Sequence, residues 1–238
     1  MIDPSVIRVV WVDLDDTLID FKANSRSALS KLYESTPPLK QYFATPKEWT
    51  ERYQHHNHLL WAALSAKQIT RDFLITERFL RPLTEAGMTE TEARTLASEL
   101  HPRYLDLLAQ EKNLVAGAIP LLERLRNAGL KIGVLSNGFK EVQHRKITTA
   151  GLSPYIDLVV LSDDIGVQKP DPRLFAHAMS LTGEPSPKAH AMIGDNPDTD
   201  ISGALNSGWQ AIFFDPSVEA PTPPGAVKVG SLDDITIG

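Results

Sequence analysis

Five short, almost unbroken apolar runs limit what this chain can fold into: Val6 to Val12, Leu130 to Leu135, Leu158 to Leu161, Ala189 to Ile193 and Gln210 to Phe214. A strand with one face in water alternates apolar and polar residues, whereas a strand covered on both faces is apolar throughout. Runs of the second kind, separated by helix-length amphipathic stretches, predict a parallel sheet with crossover helices on both faces. One of those helices has a legible start at Asp171-Pro172, an N-cap residue followed by proline in the first turn.

More than a hundred residues separate the first run from the second, and no strand pattern falls between them. Thr45-Pro46-Lys47-Glu48 and Thr89-Glu90-Thr91-Glu92 fit the capping box, in which Thr and Glu satisfy orphan helix N–H groups reciprocally. After the second box Ala93, Leu96, Ala97, Leu100, Tyr104, Leu107 and Leu108 recur at helical spacing, and Pro102 is expected to kink or split that helix. The expected architecture is α/β: a doubly wound, Rossmann-like parallel core (residues 1–19 and 113–238) carrying an inserted all-helical domain (20–112). The proline-rich stretch Pro216 to Pro224 reads as a loop, followed by a short strand or helix.

Four chemistry-bearing segments follow the first four runs. Asp13-Leu14-Asp15-Asp16-Thr17 comes after the first, Ser136-Asn137-Gly138 after the second, Lys169-Pro170-Asp171-Pro172 beyond the third, and Gly194-Asp195-Asn196-Pro197-Asp198-Thr199-Asp200 after the fourth. Each has an ordinary reading when taken alone: Asp caps turns and helices, Ser-Asn-Gly is turn chemistry, and a single Lys is usually solvated. Together they carry more, because in a parallel sheet the carboxyl ends of the strands share one edge, where open α/β sheets bind their ligands. Three carboxylates such as Asp13, Asp15 and Asp195 gathered about 4 Å apart would repel by roughly 4 kcal/mol per pair at an effective dielectric near 20, on the order of 12 in all. A positive group is required among them. A hard divalent cation with oxygen ligands answers this, and Mg²⁺ suits a site of few carboxylates, waters and a substrate phosphate.

Composition narrows the ligand. The 238 residues include 24 Lys plus Arg against 30 Asp plus Glu, a formal charge of −6 with no long basic run, which argues against a nucleic acid polymer as partner. There is no Cys, so a disulfide framework, a thiolate metal site and a Cys nucleophile are excluded, and the reducing cytoplasm is the expected compartment. The first apolar run, about seven residues long, is too short for a membrane span or a signal-peptide core.

In this order and at these strand ends, the four segments resemble the haloacid dehalogenase superfamily of aspartate-nucleophile phosphatases, over the whole α/β portion, and the insert looks like the family's small helical cap. Within the superfamily the chain is most similar to bacterial pyrimidine 5′-nucleotidases, through Leu135-Ser136-Asn137-Gly138-Phe139, the stretch Val160 to Pro170, Leu60-Trp61 and Ile69-Thr70. Ser136 stands where these nucleotidases often carry Thr, and keeps the hydroxyl. True dehalogenases of the superfamily lack the second aspartate of the first motif; Asp15 is present here, which favours phosphoester chemistry. The resemblance implies Asp13 as nucleophile and Asp15 as general acid and then base. It implies Mg²⁺ held by Asp13, Asp195 and the backbone carbonyl of Asp15, supported by Asp200. It also implies that Ser136, the backbone N–H of Asn137, and Lys169 bind the phosphoryl group. The substrate expected is a pyrimidine nucleoside monophosphate. The alternatives are a sugar phosphate or other small metabolite with the same chemistry, or a ligand-binding relative without catalysis.

Other features read as structural. His55, His56 and His58 lack a carboxylate partner at metal-site spacing and are expected on a polar face of the insert. Trp11, Trp49, Trp61 and Phe73 are expected mostly in core, with stacking on a nucleobase as the alternative. Asp163 and Asp164 are expected to cap a turn or brace Lys169.

Overall fold

The computed structural model describes residues 1–238. Six strands form one all-parallel sheet: β1 (Val9–Val12), β2 (Lys131–Ser136), β3 (Leu158–Leu161), β4 (His190–Gly194), β5 (Gln210–Phe214) and β6 (Val227–Val229), in the order β3-β2-β1-β4-β5-β6. The five predicted runs are the first five strands. β1 begins three residues late because Val6 and Ile7 donate to the carbonyl of Asp3, turning the chain before the sheet is reached. The segment after the proline-rich loop, expected as a short strand or helix, forms a strand, β6, pairing in parallel with β5 along Ile212–Val227, Phe213–Lys228 and Phe214–Val229.

Strand residues alternate between two cores, which is why the runs are apolar throughout. On one face Val10, Val12, Ile132, Val134, Ala191, Ile193, Ile212 and Phe214 pack with Leu121, Leu122 and Leu125 of α6 (Ala118–Asn127) and Ile147 of α7 (Lys140–Thr149). On the other, Val9, Trp11, Leu135, Val160, Met192, Ala211 and Phe213 pack with Leu174, Phe175 and Ala178 of α8 (Pro172–Ser180) and Ala204 of α9 (Ser202–Asn206). Trp11 is fully buried and fits because position 133 is glycine: a Cβ there would lie 2.4 Å from the indole. Its ring stacks on Trp209, and its Nε1–H donates to Nδ1 of His190 at 3.2 Å. This disposes of Trp11 as a base-stacking group.

The chain divides into two compact units, Met1–Phe21 with Lys112–Gly238, and Lys22–Glu111. The chain leaves and re-enters the first side by side, since Val115 N donates to Leu18 O at 3.0 Å and Asp20 N to Asn113 O at 3.0 Å. The second is helical, built from most of α1 (Phe21–Glu34) with α2 (Leu39–Tyr42), α3 (Pro46–Ser65), α4 (Arg71–Glu85) and α5 (Glu90–Leu108). Its core is aromatic: Tyr53, Phe79 and Tyr104 meet with ring centroids 4.8 to 5.9 Å apart, and Trp49 is buried beside them. Both Thr caps form, but neither box closes. Thr45 accepts from Glu48 N while the Glu48 carboxylate takes Ala44 N, and Thr89 donates directly to the Glu92 carboxylate. Of the kink or split expected at Pro102, the split does not occur, because Leu96, Ala97, Leu100, Tyr104 and Leu108 keep one buried face on both sides of it. Within this unit His56 is buried and hydrogen-bonded to Glu85 at 2.9 Å. No helix is long and apolar enough to cross a membrane.

Candidate active site

β1 and β4 are neighbours whose onward connections run to opposite sides of the sheet, so their carboxyl ends border the crevice where doubly wound sheets take ligands. Asp13 extends the β1–β4 pairing by one bond, donating its N–H to Ile193 O at 2.9 Å. The chain then turns at once: Leu18 and Ile19 both donate to Leu14 O, and Asp16 takes a left-handed backbone at φ 59°. Asp is among the few non-glycine residues that accept this conformation readily. The turn leaves Asp13 buried and Asp15 partly exposed.

Lys169, 2% exposed, lies against Asp13. Its Nζ is 2.5 Å from Asp13 Oδ1, 2.7 Å from Asp200 Oδ1, and donates to Leu135 O at 2.7 Å. Its backbone is fixed by Asn137, whose side-chain oxygen accepts from Lys169 N at 2.8 Å and whose amide donates to Lys169 O at 3.1 Å. The Asn137 side chain is therefore a brace between the β2 and Lys169 loops, and what Asn137 can offer an anion is its backbone N–H. Of the two expectations for Asp163 and Asp164, capping holds and bracing Lys169 does not: the lysine beside them is Lys140. Asp163 accepts from Lys140 N, and Asp164 accepts from Leu161 N and pairs with Lys140 Nζ at 2.8 Å, because the turn after β3 packs against the start of α7.

After β4 the chain enters a π-helical turn, Pro197–Ile201, capped by the Asn196 side chain, which accepts from Asp198 N and Thr199 N. Such turns are uncommon and recur at functional sites. This one carries Asp200 back over the strand end: its Oδ2 accepts from Asn196 N at 3.1 Å, and a Cβ on Gly194 would lie 2.4 Å from the same oxygen. Thr17 donates to Asp195 Oδ1 at 3.3 Å.

Carboxylate oxygens of Asp13, Asp195 and Asp200 all lie within 4.8 Å of one another. One lysine against three buried or half-buried carboxylates leaves a surplus of negative charge, which disfavours ionisation within the cluster. Burial pushes Asp195 up to about 7, reinforced by Asp200 and Asp16 and opposed by Lys169. Burial likewise raises Asp13 well above the usual carboxylate range, against the pull of Lys169 and with a further push from Asp200 and Asp195. Burial works against the Lys169 ammonium, but Asp13 and Asp200 more than offset it and hold its proton more tightly than in water. Hard oxygen donors in excess of the available positive charge are a donor set that fits a divalent cation such as Mg²⁺.

Two further residues were not anticipated. Gln143 and Lys146, both buried on α7, reach the strand ends: Gln143 Nε2 donates to Ser136 Oγ at 2.7 Å and to Asp15 Oδ2 at 3.0 Å, and Lys146 pairs with Asp15 Oδ1. Their signal in the sequence is faint but physical. Val142 and Ile147 mark the apolar face of α7, and Gln143 and Lys146 fall on that same face, where polar residues need partners.

A family model described as haloacid dehalogenase-like hydrolase matches residues 7–208. The chain is 30% identical to the phosphoserine phosphatase of Thermus thermophilus, over 96% of this chain and 98% of that one. It is also 30% identical to the pyrimidine 5′-nucleotidase PynA of Streptococcus pneumoniae, over 88% and 84%. Among solved structures it is similar to the HAD-hydrolase YfnB of Bacillus subtilis bound to magnesium, with a TM-score of 0.80, 25% identity and 96% of each chain covered. A parallel sheet in this strand order, a carboxylate cluster with a buried lysine at its switch point, and a family match over most of the sequence agree: the chain belongs to the haloacid dehalogenase-like hydrolases.

Proposed function

We propose that this protein is a Mg²⁺-dependent phosphomonoesterase acting on pyrimidine nucleoside 5′-monophosphates through an aspartyl-phosphate. The observation that carries the phosphatase reading is the convergence of Asp13, Lys169, Asp195 and Asp200 beside Ser136 at one sheet edge, an arrangement that gathers a nucleophilic carboxylate and groups suited to a phosphoryl anion. The nucleotide preference is supported by the 30% identity to PynA.

In this reading a carboxylate oxygen of Asp13 attacks phosphorus in line, the Asp13–phosphorus bond forms, and the bond to the leaving oxygen breaks as Asp15 gives that oxygen its proton. Asp15 then takes a proton from water as the water attacks phosphorus, and the Asp13–phosphorus bond breaks to release phosphate. Splitting one hard displacement into two makes each easier. Ser136 and the Asn137 backbone N–H hold the phosphoryl oxygens, and the Lys169 charge beside Asp13 offsets the negative charge that spreads there in the transition state. Mg²⁺, held by Asp13, Asp195 and the Asp15 backbone carbonyl with Asp200 in support, would supply the positive charge that lets one anion approach another.

A second reading, a phosphatase of another small metabolite with the same chemistry, is favoured by equal identity to the phosphoserine phosphatase. The family's fold hosts both and the site's surroundings choose between them. The test is a panel of deoxyuridine, thymidine, uridine, phosphoserine and sugar monophosphates, with Mg²⁺ and with EDTA. The expected result is that pyrimidine nucleotides lead in kcat/KM by at least tenfold and that EDTA abolishes turnover. A preference for phosphoserine or sugar phosphates would move the assignment to the second reading, and turnover untouched by EDTA would remove the metal.

A further inference from the structure

The reaction proposed above uses Ser136 as a hydrogen-bond donor, yet a hydroxyl can equally accept, and nothing in a serine by itself decides which. The contacts on α7 decide it. Lys146 is 2% exposed and its ammonium is a donor only; it contacts Asp15 Oδ1 and the Gln143 side chain at 2.8 Å, with the Phe21 ring centroid 5.2 Å away. The Gln143 atom facing it must therefore be the amide oxygen. The other end of that amide is then an NH₂, and it meets Asp15 Oδ2, which only accepts when ionised, and Ser136 Oγ. The constraints at the two ends agree on one orientation. Ser136 Oγ also accepts from Gly138 N at 3.1 Å, so both of its acceptor positions face N–H groups and its own hydrogen must go to a third partner. Gly138 makes room for this: a Cβ there would lie 2.0 Å from Gln143 Nε2.

We propose that Gln143, oriented by Lys146, is a positioning residue that turns Ser136 into an obligatory hydrogen-bond donor to the phosphoryl oxygen and at the same time anchors the Asp15 carboxylate. This rests on the phosphatase reading and adds to it the group that sets the polarity of the phosphate pocket.

The test is a double-mutant cycle on 4-nitrophenyl phosphate with Mg²⁺, using wild type, Ser136→Ala, Gln143→Met and the double variant, with thermal unfolding of each. Gln143→Met is expected to lower kcat/KM by about 10²-fold, the loss typical of one preorganised donor. The double variant is expected to be at least tenfold more active than the product of the two single losses, because both changes remove the same donated hydrogen. Gln143→Glu keeps the shape and the Lys146 contact but offers both Ser136 and Asp15 an acceptor in place of a donor. It should lose at least as much as Gln143→Met, and it carries the test if the Met variant does not fold. A residue that only supports the fold would give losses that multiply and that follow thermal stability. Multiplying losses, or either Gln143 variant within threefold of wild type, overturn the proposal while wild-type turnover stands. Absence of wild-type turnover on any phosphate ester would instead overturn the phosphatase reading and this inference together.

Discussion

Replacing Asp195 with Asn should make the metal-free protein more stable at neutral pH. Asp195 sits in a surplus of negative charge, and burial with Asp200 and Asp16 raises it from 3.8 to about 7, roughly a thousandfold weaker acid. At about 1.4 kcal/mol per factor of ten, ionising it in the folded protein costs about 4 kcal/mol more than in the unfolded chain. A carboxyl whose folded value is raised contributes stability that is fully present below its unfolded value, near 3.8, and is lost as pH rises through about 7. Wild type should therefore lose up to about 4 kcal/mol between pH 4 and pH 8 through this group, and Asp195→Asn should not. Asn keeps the shape and can still accept from Thr17, so packing changes little. The measurement is urea unfolding of both proteins in EDTA from pH 4 to pH 8. The two should nearly coincide at the acid end and separate with the variant ahead at the alkaline end. Adding Mg²⁺ should close the gap at pH 8 and reverse it only beyond roughly a thousandfold of the dissociation constant, since wild type gains about 1.4 kcal/mol for every tenfold of free Mg²⁺ above that constant. A variant less stable than wild type at pH 8 in EDTA, or a gap that ignores pH, would refute the charge argument.

Asp13→Asn should abolish turnover with thermal unfolding intact; near-normal hydrolysis would remove Asp13 as nucleophile. Ser136→Ala should reduce kcat by about 10²-fold, read in the same assay. Gly194→Ala places a methyl 2.4 Å from Asp200 Oδ2, and the displaced carboxylate should cost about 1 to 3 kcal/mol in urea unfolding along with loss of activity. His190 is fully buried, and that burial lowers its pKa from 6.5, a hydrogen bond to the Glu184 carbonyl opposing it only in part. It therefore contributes stability present above 6.5 and lost as pH falls toward its folded value. In the difference between wild type and His190→Asn this should appear as a slope confined to the range below 6.5, and a flat difference would count against it.

The strands were legible because their apolar runs answer to a single local cause, burial on both faces, and four of the five expected runs meet the observed strands within one residue at each end. Asp171 caps α8 as read, accepting from Arg173 N, because an N-cap is also a local device. What failed was decided at a distance. Pro102 sits inside an unbroken helix because a shared buried face outweighs one lost backbone bond, and no window around residue 102 contains that face. Asp163 and Asp164 cap as one of their two readings had it, but the lysine beside them is Lys140 and not Lys169, while the Asn137 side chain braces Lys169, 32 residues away; both pairings are set by which loops pack together.

By itself, then, the sequence determined five of the six strands, their parallel sense and the edge along which Asp13, Ser136, Lys169, Asp195 and Asp200 would fall, since strand burial and chain direction follow from residue order. Tertiary structure alone decided which of those groups touch, that Asp200 and Asp13 share one lysine, and that Gln143 and Lys146 reach Ser136 and Asp15 from α7. The physical reason is range. Backbone propensity and hydrophobic pattern act over a few residues, whereas the direction of a hydrogen bond and the ionisation of a carboxyl depend on whatever the fold brings within a few ångströms.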